Sequence, residues 1–179
     1  MAYGGLVWAD AGGPAAILER MSAAGTDTGT DPDANTPARP EPVFFPDLVP
    51  ELLIEDLPAS LAFWVGLCGF EVLYDRPDDG FAYLQSGTAH LMLEQVGIGR
   101  NWIPAPLERP LGRGINFQIT LPDIAPLLER LAAAEWPLFM PAETKWYETG
   151  ATRAGVAQFL VQDPDGYLVR FSSRVGTVG

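Results

Sequence analysis

Histidine and cysteine are almost missing from this chain of 179 residues, which carries one of each, His90 and Cys68. A single imidazole and a single thiol cannot build a Cys₄ or Cys₂His₂ zinc site, a paired-histidine iron centre or an intrachain disulfide, so a histidine-rich metal catalyst would need ligands from a second subunit. Positive charge is scarce as well. Against 23 Asp and Glu stand 11 Lys and Arg, a net charge of −12, and no basic cluster interrupts the excess. Phosphate backbones and anionic membranes would repel such a chain, which argues against nucleic acid and membrane partners and favours a cationic small molecule. No apolar run approaches the length of a bilayer span, and no basic segment followed by an apolar stretch opens the sequence. The expectation is a soluble, cytoplasmic protein whose lone thiol is buried and inert.

What is present divides the chain in two. Residues 1–44 read as an N-terminal extension: a short helix over Pro14–Ala24, then a flexible linker over Ala24–Pro42 made of Gly, Thr, Asp and Pro without a large apolar side chain. The extension carries six acidic against two basic residues, so −8 of the net charge belongs to residues 45–179.

That second part repeats itself. Val49–Leu61 overlies Asn116–Leu128 at an offset of 67 residues. In each copy a short alternating strand ends at an aspartate, Asp56 or Asp123, suited to cap the helix that follows, with Pro58 or Pro126 in its first turn. Apolar residues then recur at helical spacing, Leu57, Leu61, Trp64, Leu67 and Cys68 in one copy and Ile124, Leu127, Leu128 and Leu131 in the other. Three strand-like runs follow each helix, at 70–75, 81–85 and 90–96, and at 138–147, 155–162 and 167–172. Pro77–Gly80, Ser86-Gly87 and Asp163–Gly166 supply the reversals. The reading is α+β: two βαβββ modules, about 45–96 and about 113–174, joined by a loop over 97–112 and forming a curved mixed sheet.

Period-two alternation assigns the faces. Leu52, Ile54, Leu91, Leu93, Phe117, Ile119 and Leu121 belong under the helices. Val49, Glu51, Leu53, His90, Met92, Glu94, Asn116, Gln118 and Thr120 face the other way, and the twist of the sheet is expected to gather them into one concave groove.

The βαβββ repeat, the opening Val49-Pro50…Asp56-Leu57-x-x-Ser60-Leu-x-Phe63-Trp64…Gly69-Phe70 and the stretch Gln158-Phe-Leu-Val-Gln-Asp163-Pro-Asp-Gly166-Tyr-Leu-Val-Arg-Phe171 resemble the vicinal-oxygen-chelate superfamily, which includes glyoxalases, bleomycin resistance proteins and dioxygenases. The similarity covers about residues 45–174, and within the superfamily these residues look like the bleomycin resistance proteins. The resemblance places four metal-ligand points of the enzymes at Val49, about Met92, Asn116 and Arg170. Valine and methionine offer a hard divalent cation nothing, and arginine repels it. No metal and no cofactor are therefore expected. Metal-free members of the resemblance are homodimers that hold a drug in grooves shared between subunits without turning it over.

Each candidate residue has a structural alternative. Glu51 and Glu94 either meet a cationic ligand or are solvated sheet residues; no nucleophile or oxyanion donors can be named beside them, so none of the candidates is read as catalytic. Arg170 either contacts the ligand or pairs with Glu51 or Glu94 across the groove. Asn116 and Gln118 suit a peptide-like ligand but equally suit each other, and they depart from the aromatics that antibiotic-binding members carry on this strand. Phe81, Tyr83, Trp146 and Tyr147 can stack on flat heterocycles or pack in a core or dimer interface. Trp102 sits in the Gly/Pro-rich loop with no periodic reason to be buried, and is expected to close over a ligand or touch a partner subunit. Trp64 is read as core, and His90 as having no catalytic part.

Together these readings give a metal-free, homodimeric binding protein that sequesters a cationic, glycopeptide-like drug. The rival readings are a metal-dependent isomerase, lyase or dioxygenase of the same superfamily, and a dimer whose groove holds no small molecule.

Overall fold

Two aspartates open the two helices, each in its own way. Asp56 has extended backbone angles (φ −141°, ψ 109°) and its carboxylate accepts from the Ala59 N–H at 2.7 Å, with Pro58 in the first turn. Asp123 accepts from the Ala125 N–H at 2.9 Å, but Ile124 occupies the cap position, so this carboxylate closes a turn just ahead of the helix. The computed structural model describes residues 46–179; the helix expected at Pro14–Ala24 and the linker expected at Ala24–Pro42 lie outside the described residues.

The first half runs β1 (Glu51–Ile54), α1 (Leu57–Leu61), β2 (Glu71–Arg76), β3 (Phe81–Ser86) and β4 (Ala89–Gln95). Beyond Leu61 the helix continues as a π-helical segment, Ala62–Leu67, which places Phe63 and Trp64 inward. The second half repeats the order: β5 (Asn116–Thr120), α2 (Ala125–Ala133), β6 (Leu138–Glu148), β7 (Arg153–Gln162) and β8 (Leu168–Val178). Strand β8 runs six residues past the expected Ser172.

The strands form two four-stranded mixed sheets, ordered β1-β4-β3-β2 and β5-β8-β7-β6, instead of one sheet. In each, the first strand lies parallel to the last and the other pairs are antiparallel. The two βαβββ modules of the sequence are thus equivalent in topology.

Below the sheets the expected faces hold. Leu52, Ile54, Ala82, Leu84, Leu91 and Leu93 are buried with Leu57, Phe63, Trp64, Cys68 and Phe70, while Ile119, Phe159, Val161, Val169 and Phe171 are buried with Ile124, Leu127 and Leu131. These sets merge into a single apolar cluster. Trp64 is fully buried and edge-packed on Phe63 and Phe70 at 5.4 and 5.3 Å, so truncating it would cost about 3–5 kcal/mol. Cys68 is buried too, and burial pushes its thiol well above the usual range, which leaves it unreactive.

The Asp163–Gly166 turn fastens one module to the other. Asp165 is 1% exposed, and its carboxylate accepts from the Glu55 N–H at 3.0 Å, the Ser60 hydroxyl at 3.3 Å and the Arg109 guanidinium at 3.0 Å. Arg109, from the long connection, also donates to Glu55 at 2.8 Å and to the Pro164 carbonyl at 2.7 Å. Tyr167 completes the fastening by donating its hydroxyl to the Leu53 carbonyl at 3.1 Å. Asp163, buried within the turn, is raised to about 6 by that burial, although the N–H groups of Tyr167 and Asp165 hold it back.

Candidate functional site

On the face of the first sheet away from the helices, register brings two acids together. Glu51 of β1 lies beside Met92 of β4, and Leu53 lies beside Glu94, in a parallel pair whose side chains share one face. The Glu51 and Glu94 carboxyls come within hydrogen-bonding reach of each other. That contact, then burial, then the like charge of Glu94 raise Glu51 from 4.5 to about 7, while the Arg76 guanidinium pulls the other way. A carboxyl raised to about 7 is close to half protonated near neutrality. Glu94 is buried, at 8% exposure, although it points to the groove.

Around the pair lies a cavity of about 440 Å³ bounded by Tyr74, Arg76, Asp79, Phe81, Met92, Gly99, Arg100 and Trp102. Tyr74 and Arg76 reach it because β2 bulges between Val72 and Tyr74, which sends Val72 under the sheet and the next pair of alternate residues above it. Tyr74 stacks on Tyr83 with centroids 5.2 Å apart, and Arg76 lies 3.7 Å from the Phe81 ring centre while its Nε bonds Asp79 at 3.1 Å. His90 meets the Tyr83 hydroxyl at 3.2 Å on the same face. Trp102 is 66% exposed, with the Arg100 guanidinium 4.4 Å over its ring. The loop backbone passes close to the acids: a Cβ at Gly99 would lie 3.1 Å from Glu94 Oε1.

The second sheet solves the same positions differently. Gln118 stands 67 residues after Glu51 and lies beside Arg170 of β8, and the Arg170 guanidinium donates to the Gln118 carbonyl oxygen. The Gln118 amide reaches Ser172 at 3.4 Å, and Thr120 lies 3.5 Å from the same hydroxyl. A second cavity of about 420 Å³ is lined by Gln118, Thr120, Ser172, Ser173, Arg174 and the hydroxyls of Thr149, Thr152 and Thr177 among others. Tyr147 belongs to this face, where it and Glu143 bond Gln158 at 2.9 and 2.8 Å. Asn116 begins β5 and is exposed.

The candidates therefore fall into two groups instead of lining one groove. Glu51, Phe81, Tyr83, Glu94 and Trp102 belong to the first sheet and its loop; Asn116, Gln118, Tyr147 and Arg170 belong to the second. Trp146 is on neither groove face. Adjacent to Tyr147 on a strand, it points the opposite way and packs over Gly155 and Val175. Arg170 bonds Gln118, and the expected pairing with Glu51 or Glu94 is not formed within the chain, because the glutamates answer each other on the other sheet. Tyr74, Arg76, Asp79, Gly99 and Arg100 line the first cavity without having been foreseen; Met92 was expected on this face by alternation alone.

The four points that would carry a metal do not fit one. Val49 and Met92 supply no hard donor, and the Arg170 guanidinium already occupies the amide of Gln118. Among the described residues no group of three or more His, Cys, Asp and Glu side chains is placed to hold a metal ion, and no helix is long and apolar enough to cross a membrane.

The family model described as the Glyoxalase/Bleomycin resistance protein/Dioxygenase superfamily matches residues 48–171. Among solved structures, a member of that superfamily from Vibrio splendidus 12B01 is 41% identical, covering 71% of this chain and 97% of its own, with a TM-score of 0.33. TioX from Micromonospora sp. ML1 is 21% identical over 71% of this chain and 98% of its own, with a TM-score of 0.57. A virulence protein of Salmonella typhimurium is 16% identical over 74% of this chain and 100% of its own, at a TM-score of 0.53. The last two share the fold. No curated protein matches the chain.

Proposed function

The chain belongs to the glyoxalase/bleomycin resistance protein/dioxygenase superfamily, and from that premise we propose that it is a metal-free binding protein of the bleomycin resistance type, one that sequesters a cationic glycopeptide-like drug. The observation that carries this reading is the Glu51–Glu94 pair set in a cavity walled by Tyr74, Phe81 and Trp102. Two carboxyls close together attract positive charge, since the nearby Arg76 is already paired with Asp79, and the flat walls favour a ligand that stacks. The amides and hydroxyls of the second cavity, with Arg174, suit the sugar and peptide portions of such a ligand. Neither cavity pairs a nucleophile with a base and oxyanion donors, which supports holding over turnover. A homodimer in which the first groove of one subunit adjoins the second groove of its partner would bring both halves of the candidate set onto one ligand.

The test is stoichiometric. Full-length protein incubated with metal-free bleomycin should bind it saturably and release it chemically intact on denaturation, as read by mass spectrometry of the recovered ligand. A modified product, or a stoichiometric bound divalent metal in elemental analysis, would replace this reading with the enzymatic one. An oligomer measurement giving a monomer would remove the shared groove.

A further inference from the structure

The acidic groove contains a cation of its own, and its placement says what kind of visitor the groove suits. Arg76 sets its guanidinium over Phe81, 3.7 Å from the ring centre, with its Nε bound to Asp79. A planar cation bearing N–H donors is thus already seated on the aromatic wall, but that Nε is committed to Asp79, and the carboxyls of Glu51 and Glu94 stand side by side on the same cavity. Two carboxyls side by side offer acceptors at two nearby points, a geometry that a fork of N–H groups satisfies and a spherical onium ion does not. Resting on the binding role proposed above, we infer that the Glu51–Glu94 pair selects a planar cation with at least two N–H donors (an amidinium, a guanidinium or a protonated amino-heterocycle), which bridges both carboxyls.

The surroundings fit that bridge. The titratable groups that line the cavity with the pair are Arg76 and Tyr74 from β2, Asp79 from the turn after it and Arg100 from the loop, with Tyr83 of β3 stacked on Tyr74 and His90 of β4 on Tyr83. Arg76 and Asp79 neutralise each other at 3.1 Å, and Tyr83 bonds His90. Arg100 lies over Trp102 at 4.4 Å, so its charge is directed at the loop indole. The Gly99 backbone passes so near Glu94 that a Cβ there would lie 3.1 Å from its Oε1, and Glu94 is buried, which strengthens its bond to a ligand donor. A quaternary ammonium would gain the aromatic walls and the charge but would bring the carboxyls no N–H donor.

Matched probes separate these contributions. Benzamidinium and phenyltrimethylammonium carry the same ring and charge and differ in N–H donors. Calorimetric titration of the full chain at pH 7 should give benzamidinium an advantage of about tenfold or more. Glu51→Gln and, separately, Glu94→Gln should reduce the advantage to about twofold or less, with thermal melts reporting that each variant is folded. Trp102→Ala should weaken both probes equally. Equal affinities in the wild-type protein, or a preference that survives both glutamate substitutions, would overturn the inference. If metal-free bleomycin binds while the probes show no preference, this inference fails alone; if bleomycin and both probes give no binding, the binding role fails with it.

Discussion

The two modules share strand order, pairing sense and helix placement, yet they treat one pair of quasi-equivalent positions in opposite ways. In the second, Gln118 beside Arg170 and Ser172 is satisfied from within: an amide answers a guanidinium and a hydroxyl. In the first, Glu51 beside Met92 and Glu94 is left with another acid for a partner. The fold requires only that these residues face away from the helices, so one scaffold accommodates either choice. The difference teaches where a cation would be sought: the second site already holds its own guanidinium, and the first sets two acids side by side. The turns diverge in the same manner: Ser86-Gly87 merely joins two strands, whereas Asp163–Gly166 also fastens the second module to the start of the first.

Breaking the fastening turn should have the largest effect. Asp165→Ala removes three hydrogen-bond partners of a buried carboxylate and should lower unfolding free energy by about 2–4 kcal/mol in urea titration. The corresponding turn of the first module should matter less: Gly87 has φ +60° with open space around it, so Gly87→Ala should cost about 1 kcal/mol, from backbone strain alone. Trp102→Ala should leave stability unchanged within about 0.5 kcal/mol, since the ring is 66% exposed, while weakening ligand binding about threefold to tenfold in fluorescence titration. The smallest effect is on pH dependence. Glu51 titrates higher in the folded chain, at about 7, than its ordinary 4.5, so the folded state holds more protons between those values and stability falls as pH rises through that window. Glu51→Gln should flatten that decline, gaining on the wild type at pH 8 relative to pH 5 in paired melts. Asp163, raised to about 6, slopes the same way in both proteins and cancels in the difference.

Much of the scaffold was legible. The offset of 67 residues, the two aspartates and the 3.6- and two-residue periods were enough to place strands, helices and buried faces, because each is a local consequence of backbone geometry. The grooves were less so. Nothing in the local pattern announces the bulge after Val72 that turns Tyr74 and Arg76 into the first cavity. The pairing of Arg170 with Gln118 depends on a parallel register across 52 residues, and the anchoring role of Asp165 on partners 105 and 110 residues away. Trp146 is a different lesson: two neighbours on one strand cannot both face a groove, so alternation alone already separated it from Tyr147. Glu51 and Glu94 were recognisable as groove-facing acids, but only strand register sets them on diagonal positions of one strand pair.

The central claim is that the acidic module, and not its satisfied counterpart, holds the cation. Calorimetric titration of metal-free bleomycin into the full chain, Glu51→Gln and Gln118→Ala tests it directly. The account predicts saturable, salt-sensitive binding that drops about tenfold or more in Glu51→Gln and less than about threefold in Gln118→Ala. Binding that is indifferent to Glu51 and lost with Gln118 would contradict it.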